Sequence, residues 1–421
     1  MVNKTVCDNG LRIVTEQLPH SRLTSVGIWV DVGSRDEHDL NNGCSHFIEH
    51  MLFKGTANRS ARQIAMELDM LGGTGNAFTS RENTCYYATV LDSHLEQLVD
   101  LLADIFLNSR FPAEEIERER QVIQQEISMV EDIPDDHIHD LFSTLLWNNH
   151  PLGKTVLGSR EVVTAMDAKK LREHVKRFYT PDRILIAAAG NLDHDNFVGL
   201  LQDKGFGGLE PAAAGERQRQ KPDMRPAQRG VYAKPLEQVH MLLGTYGEAN
   251  VSADRYRYLI MNVLLGGNMS SRLFQEIREN RGLAYSIFSY ITSYMDSGYL
   301  GIYLGIERES VNEALSLILK EINRLLREPV TAQELAGAKE FIKTGLFLAV
   351  ENMESIMTRI AKNELCFGRD IPLEEIVTAI DSVSDRDVQA MAEKTFGSNR
   401  LTLGAIGPVT QEEIDWTLLA S

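Results

Sequence analysis

The order of secondary-structure elements in this 421-residue chain is written twice. The first half opens with β-rich text at Leu11–Glu16 and Thr24–Val32, then a helical pattern through His46–Phe53. The second half offers a strand at Gln238–Tyr246 and a helix at Ala253–Leu265. A strand and a helix follow in each, Cys85–Leu91 with His94–Leu107 and Gly298–Leu304 with Ser310–Leu326. A further helix ends both series, Pro112–Val130 and Thr331–Val350. Their openings, PAEEIERERQVIQQE and TAQELAGAKEFIKTG, align at an offset of 219 residues. Between Lys204 and Pro226 the text is polar, rich in Gly, Ala, Pro and Gln and without periodicity, so it reads as a linker. A repeated order of elements points to one unit used again. Strands and helices that do not alternate steadily as βαβ favour α+β layers. The expectation is an α+β fold of two homologous α/β sandwich units in tandem, each a mostly antiparallel sheet covered by helices. The expected boundaries are 1–205, a linker at 206–227, and 228–421.

Charge narrows the functions open to such a chain. Lys plus Arg number 43 against 60 Asp plus Glu, a net charge of −17. A nucleic-acid binder needs a basic face for phosphates, and a protein held on anionic lipid needs the same, so neither partner is expected. Basic partners or substrates remain open. The acidity is uneven: residues 101–150 carry 11 acidic and 3 basic residues. Four cysteines (Cys7, Cys44, Cys85, Cys366) form no C-x-x-C pair and no disulfide framework, which suits a reducing compartment. The N-terminal text has neither an apolar signal core nor an Arg-rich transit pattern, and no stretch reaches the roughly 18 apolar residues of a membrane helix. A bacterial cytoplasm is the expected location.

The chemistry concentrates in Ser45-HFIEH-MLFKGT, which holds His46-x-x-Glu49-His50. Positions four apart share a helix face, so His46 and His50 can aim two imidazoles at one ion. Neutral imidazoles suit Zn²⁺, and a catalytic zinc takes a third protein ligand and keeps an open position. A carboxylate beside the metal, here Glu49, can take the proton of the attacking water. Two histidines on a helix are also met as surface or satisfied core residues. The helix Pro112–Val130 supplies an independent signal: Ile116, Ile123, Ile127 and Val130 form an apolar stripe, and Glu119 and Glu126 fall on it. Carboxylates facing a core need a partner, which a metal and its ligands would be. A phasing error of one helix turn would instead leave both on a solvated flank.

Together these residues resemble the pitrilysin/insulinase family of zinc metallopeptidases, in particular the beta subunit of mitochondrial processing peptidase and its bacterial relatives. The resemblance spans nearly the whole chain: HFIEHMLFKGT, Gly75-NAFTSR-Glu82 with Tyr86-Tyr87, and the run from Glu117 to Glu126, which lies 76 residues beyond His50. It implies a zinc metalloendopeptidase acting on unfolded peptides, with one Zn²⁺ per chain held by His46, His50 and Glu126. Glu119 would support the site, and Glu49 would be the general base. Asn76, Ala77, Phe78 and Thr79 would form an edge strand that pairs with the substrate, Phe78 lining the pocket beyond the scissile bond. Arg278 and Tyr285 resemble a family pair that contacts substrate near the scissile carbonyl. Asp136 and Asp140 stand where processing peptidases read an arginine. The second half has no H-x-x-E-H, and Gly345 replaces the counterpart of Glu126. Larger relatives join four such units, so two per chain imply a homodimer in which Arg278 and Tyr285 serve the partner's zinc. The Gly266-Gly267 turn is a shortened version of a relative's glycine-rich loop. Relatives that serve as non-catalytic scaffold subunits are the alternative, although those have broken zinc motifs.

Overall fold

Short runs of apolar and β-branched residues, bounded by turn residues, build two sheets. The computed structural model describes residues 2–211, 219–397 and 400–420. Residues 212–218 of the expected linker lie outside them. The first sheet contains β1 (Val2–Val6), β2 (Arg12–Gln17), β3 (Leu23–Val30), β4 (Thr74–Thr79), β5 (Thr84–Leu91) and β6 (Ile184–Gly190), in the order β1-β2-β6-β3-β5-β4. The second contains β7 (Arg229–Ala233), β8 (Val239–Tyr246), β9 (Ala284–Ser293), β10 (Gly298–Ile306) and β11 (Thr402–Gly407), in the order β7-β11-β8-β10-β9. Each sheet has one parallel pair, β2 with β6 and β7 with β11, and is otherwise antiparallel. Matched strand for strand, β2-β6-β3-β5-β4 and β7-β11-β8-β10-β9 have the same order and pairing sense. The duplication is therefore one of topology as well as of element order, and β1 is an addition to the first copy.

In the first half, helices α1 (Cys44–Leu52), α2 (Ala61–Met70), α3 (Leu95–Asn108) and α4 (Ala113–Asp132) are followed by α5 (Pro134–Trp147). One face of the first sheet is covered by its own half: Phe47, Ile48 and Met51 of α1, Leu98 and Leu102 of α3, and Ile116, Ile123 and Ile127 of α4 share one core. The other face carries Val14, Trp29, Cys85, Leu185 and Ala187, and what covers it is a helix of the second half, Met353–Phe367, through Ile356, Met357, Ile360 and Ala361. Trp29 Nε1 donates to Met357 Sδ at 3.3 Å, and a Cβ on Gly27 would lie 2.6 Å from that sulfur. Strand β6 is buried along its whole length, as its unbroken apolar text ILIAAAG requires.

The second sheet is covered in the reciprocal way. Helix α5, from the first half, packs Ile138, Phe142, Leu146 and Trp147 against Leu242, Tyr299, Tyr303 and Ile406. A Cβ on Gly244 would lie 2.7 Å from Phe142 Cζ, so the glycine lets that ring approach β8. The compact units therefore do not follow the halves: one comprises Met1–Ser128, Lys154–Arg219 and Phe347–Asp370, the other Met129–Gly153, Gln220–Leu346 and Ile371–Ser421. An apolar stripe specifies that a helix must be covered, not which sheet covers it, so boundaries read at residues 205 and 228 miss the exchange. Described residues of the expected linker also make defined contacts. Phe206 is buried, and Arg219 binds Asp36 through both Nε and Nη2 (2.9 and 2.7 Å) and Asp31 through Nη2 (2.9 Å).

Among the described residues no helix is long and apolar enough to cross a membrane. The expected turn at Gly266-Gly267 is instead helical: the helix Arg255–Asn262 continues as a π-helical stretch, Val263–Gly267. A Cβ on Gly266 would lie 2.6 Å from the Ser289 backbone nitrogen, so the missing side chain lets this stretch lie against β9.

Candidate metal and catalytic site

The site begins with the start of α1. Gly43, its N-cap, has φ 91°, a left-handed conformation that suits glycine. The orphan amides of the first turn are met by a carboxylate from outside the helix: Glu37 accepts from Gly43 N at 2.7 Å, Ser45 N at 2.6 Å and Asn42 Nδ2 at 3.1 Å. A negative charge at a helix N-terminus is favourable, and this one is buried. Burial pushes the Glu37 carboxyl above its ordinary range, while the bonds from Ser45, Gly43 and Asn42 pull it back. Nothing local in the sequence marks Glu37 as the cap, because it stands six residues before Gly43. Glu37→Ala strands these donors. We expect it to cost about 2–3 kcal/mol in a denaturant melt of the zinc-free protein, with Glu37→Gln losing less.

One turn further on, His46 and His50 lie on the same face of α1, ring centroids 4.7 Å apart. Helix α4 brings Glu126 to them: its Oε2 is 3.7 Å from His46 Nε2 and 3.7 Å from His50 Nε2. One donor atom from each of the three lies within 4.8 Å of the others, the one such group of three or more His, Cys, Asp or Glu among the described residues. Glu126 Oε2 is buried with no hydrogen-bond partner. Burial first, and then His50 beside it, push His46 down to about 3, so its imidazole is neutral and offers a lone pair. A buried, partnerless carboxylate oxygen facing two imidazole nitrogens is a donor set that fits Zn²⁺.

Glu119 sits two turns before Glu126 on α4 and is 5% exposed. Its Oε2 lies 2.9 Å from His50 Nδ1, and its Oε1 accepts from Lys54 Nζ at 2.7 Å. With Nδ1–H donating to Glu119, the lone pair of His50 is on Nε2, the atom turned towards Glu126. Glu49 occupies the edge of the same helix face. Its Oε2 accepts from Thr79 Oγ1 at 2.6 Å. Burial raises its pKa; the Thr79 bond and His50 act against this, and Glu126 adds to it. A carboxyl whose proton affinity has been raised is suited to take up and return a proton.

Residues 76–79 lie in β4, the outermost strand of the first sheet, paired among the described residues to β5 alone. Thr79 is tied to Glu49. Phe78 is not on the wall of the cavity beside Glu49 and His50. Its ring packs edge-on against Trp29 at 5.4 Å, joining the core on the face covered by Met353–Phe367. Alternation along β4 sends Phe78 to the face opposite Ala77 and Thr79. The cavity beside Glu49 and His50, about 420 Å³, is walled instead by Phe53, Ile64, Leu68 and Ala77, with Lys54 and Glu119 also on it.

The remaining expected residues belong to the second compact unit. Asp136 and Asp140 lie four apart on α5, a helix where the text up to Asp136 is loop-like. Arg278 lies in the last turn of a π-helical stretch, Phe274–Asn280, that is closed by Gly282 at φ 63°. Its guanidinium lies over the rings of Phe274 (4.7 Å) and Tyr285 (4.9 Å). Tyr285, on the outermost strand β9, is 82% exposed.

Comparison with known proteins places this geometry. Residues 12–160 match the insulinase (peptidase family M16) domain and residues 165–342 match the peptidase M16 inactive domain. A Bacillus subtilis protein named an uncharacterized zinc protease is 42% identical over 397 residues, covering 94% of this chain and 96% of its own. A Streptomyces coelicolor protein of the same description is 39% identical, covering 98% and 91%. A protease from Helicobacter pylori has the same fold at 22% identity, with a TM-score of 0.90 over 97% of this chain and 99% of its own. A chain of complex III2 from Candida albicans also shares it, at 22% identity and a TM-score of 0.84 over 99% and 98%. The chain belongs to peptidase family M16.

Proposed function

We propose that this protein is a zinc-dependent endopeptidase that hydrolyses unfolded peptides. The observation that carries the reading is the buried, partnerless Oε2 of Glu126 facing Nε2 of both His46 and His50, with the raised carboxyl of Glu49 on the same helix. Zinc held by His46, His50 and Glu126 would polarise the scissile carbonyl and activate a water. Glu49, anchored through Oε2 by Thr79, takes the proton of that water as its oxygen attacks the carbonyl carbon. The carboxyl then returns the proton to the amine nitrogen as the C–N bond breaks. The outer edge of β4, Asn76 to Thr79, would receive the substrate as an added strand, and the cavity walled by Phe53, Ile64 and Leu68 would take an apolar side chain next to the bond. Asp136 and Asp140, in the most acidic stretch of the chain, would favour substrates with basic residues near the cleavage point. The reading includes a homodimer, with Arg278 and Tyr285 of one copy at the metal site of its partner. It is supported by the family resemblance and by a stacked, solvent-facing Arg278–Tyr285 pair.

The test is mass-spectrometric mapping of cleavages in a peptide library, with and without a metal chelator. Internal cleavage that stops with the chelator and returns with zinc is the expected result. One zinc per chain with no cleavage of any peptide would favour the scaffold alternative.

A further inference from the structure

Lys54 follows α1 by two residues, and nothing in the pattern H-x-x-E-H points to it. Its position is informative nonetheless. Glu119 uses both carboxylate oxygens, Oε1 on Lys54 Nζ at 2.7 Å and Oε2 on His50 Nδ1 at 2.9 Å. The Glu119 side chain is 7% exposed and that of Lys54 is 31% exposed, so the carboxylate is inside and the ammonium reaches in from the rim. A carboxylate this deep requires a cation or several donors. Three carboxylates, those of Glu49, Glu119 and Glu126, surround the two imidazoles, and Lys54 is the lysine that contacts one of them.

The geometry of Glu119 needs this second contact. A glutamate has three rotatable side-chain bonds, and the last of them is only weakly restricted. One hydrogen bond to His50 leaves the carboxylate free to rock about that bond. Two contacts on opposite oxygens fix its plane. Resting on the metallopeptidase reading above, we propose that Lys54 is a positioning residue for the metal site. It pins Glu119 in the orientation that receives the His50 Nδ1 proton and so keeps His50 Nε2 aimed at Glu126. Lys54 acts on the metal site through Glu119. The same ammonium offsets one of the three carboxylates in the site.

The experiment is a zinc-affinity measurement by competition with a chromophoric chelator, made on the full chain. Lys54→Met keeps the aliphatic stem that lines the cavity and removes the charge. It is expected to bind zinc about 10–100-fold more weakly, the usual cost of losing a residue that orients a metal ligand. Lys54→Arg, which keeps a charged donor, is expected to restore most of the affinity. Lys54→Met removes the cation from a buried carboxylate and is expected to melt lower without zinc, so the affinities are compared at a temperature well below all three zinc-free melting points, where a general loss of folding cannot mimic weaker binding. A double-mutant cycle with Glu119→Gln supplies the second check: if Lys54 works through Glu119, Lys54→Met adds little on that background. Lys54→Gln serves in the cycle should the Met variant fold poorly. Wild-type zinc affinity in Lys54→Met, or full additivity in the cycle, would overturn the assignment. A wild-type chain that takes up no zinc would instead end the peptidase reading itself, so the two failures are distinct.

Discussion

Glu49→Gln is expected to lower kcat for peptide hydrolysis about 10³-fold or more while the variant still binds one zinc per chain. The amide is nearly isosteric with the carboxylate and can still accept from Thr79 Oγ1, which holds Oε2 at 2.6 Å. It cannot take a proton from water or return one to an amine. General acid–base catalysis contributes about 10²–10⁴-fold, and here one group carries both transfers. A 10³-fold loss corresponds to about 4 kcal/mol of transition-state stabilisation. Because Glu49 is not among the three converging donors, zinc content separates loss of chemistry from loss of the metal. Wild-type activity in a zinc-loaded Glu49→Gln variant would sink the mechanism.

The second large effect concerns the ligands. Glu126→Gln and His50→Ala should each weaken zinc binding by more than about 10²-fold, beyond the 10–100-fold that a supporting residue costs. Three protein donors are few, and the loss of one leaves a catalytic site without its minimum set. The readout need not be activity. A ligand that binds only the folded state raises its stability by about 2.7 kcal/mol at 100 times Kd. Zinc should therefore raise the melting temperature of the wild type and leave that of either variant unchanged. An equal zinc-induced shift in Glu126→Gln would remove Glu126 from the ligand set.

The parts of this site that are legible in the sequence are those encoded at short range. His46 and His50 are one helical turn apart, and Glu119 and Glu126 fall on the apolar stripe of a single helix. The stripe agrees with the burial observed along α4, where Ile116, Glu119, Ile123 and Ile127 are buried. What escapes such reading depends on tertiary partners. The Glu37 cap, the Thr79 anchor of Glu49 and the Lys54–Glu119 pair each join residues whose nearness only the fold decides. The face that Phe78 takes is likewise decided by the fold. Both faces of the first sheet are covered, so strand alternation assigns Phe78 and Ala77 to opposite faces without saying which face holds the histidines. The expected antiparallel sheets are largely antiparallel, and the parallel pairs β2–β6 and β7–β11 join strands far apart in the chain.

The helix exchange has a consequence for synthesis on the ribosome. When Gly190 completes the first sheet, the face bearing Val14, Trp29 and Leu185 still lacks its cover, which arrives only with Met353–Phe367. At roughly 5–20 residues per second, that apolar face waits on the order of ten seconds or longer. Helix α5 meanwhile waits for β8 and β11 to be made. The nascent chain thus carries this apolar face without its native cover while residues 191–353 are made, until its last third emerges. Although the architecture is a duplication, the first copy cannot be finished before the second has been translated.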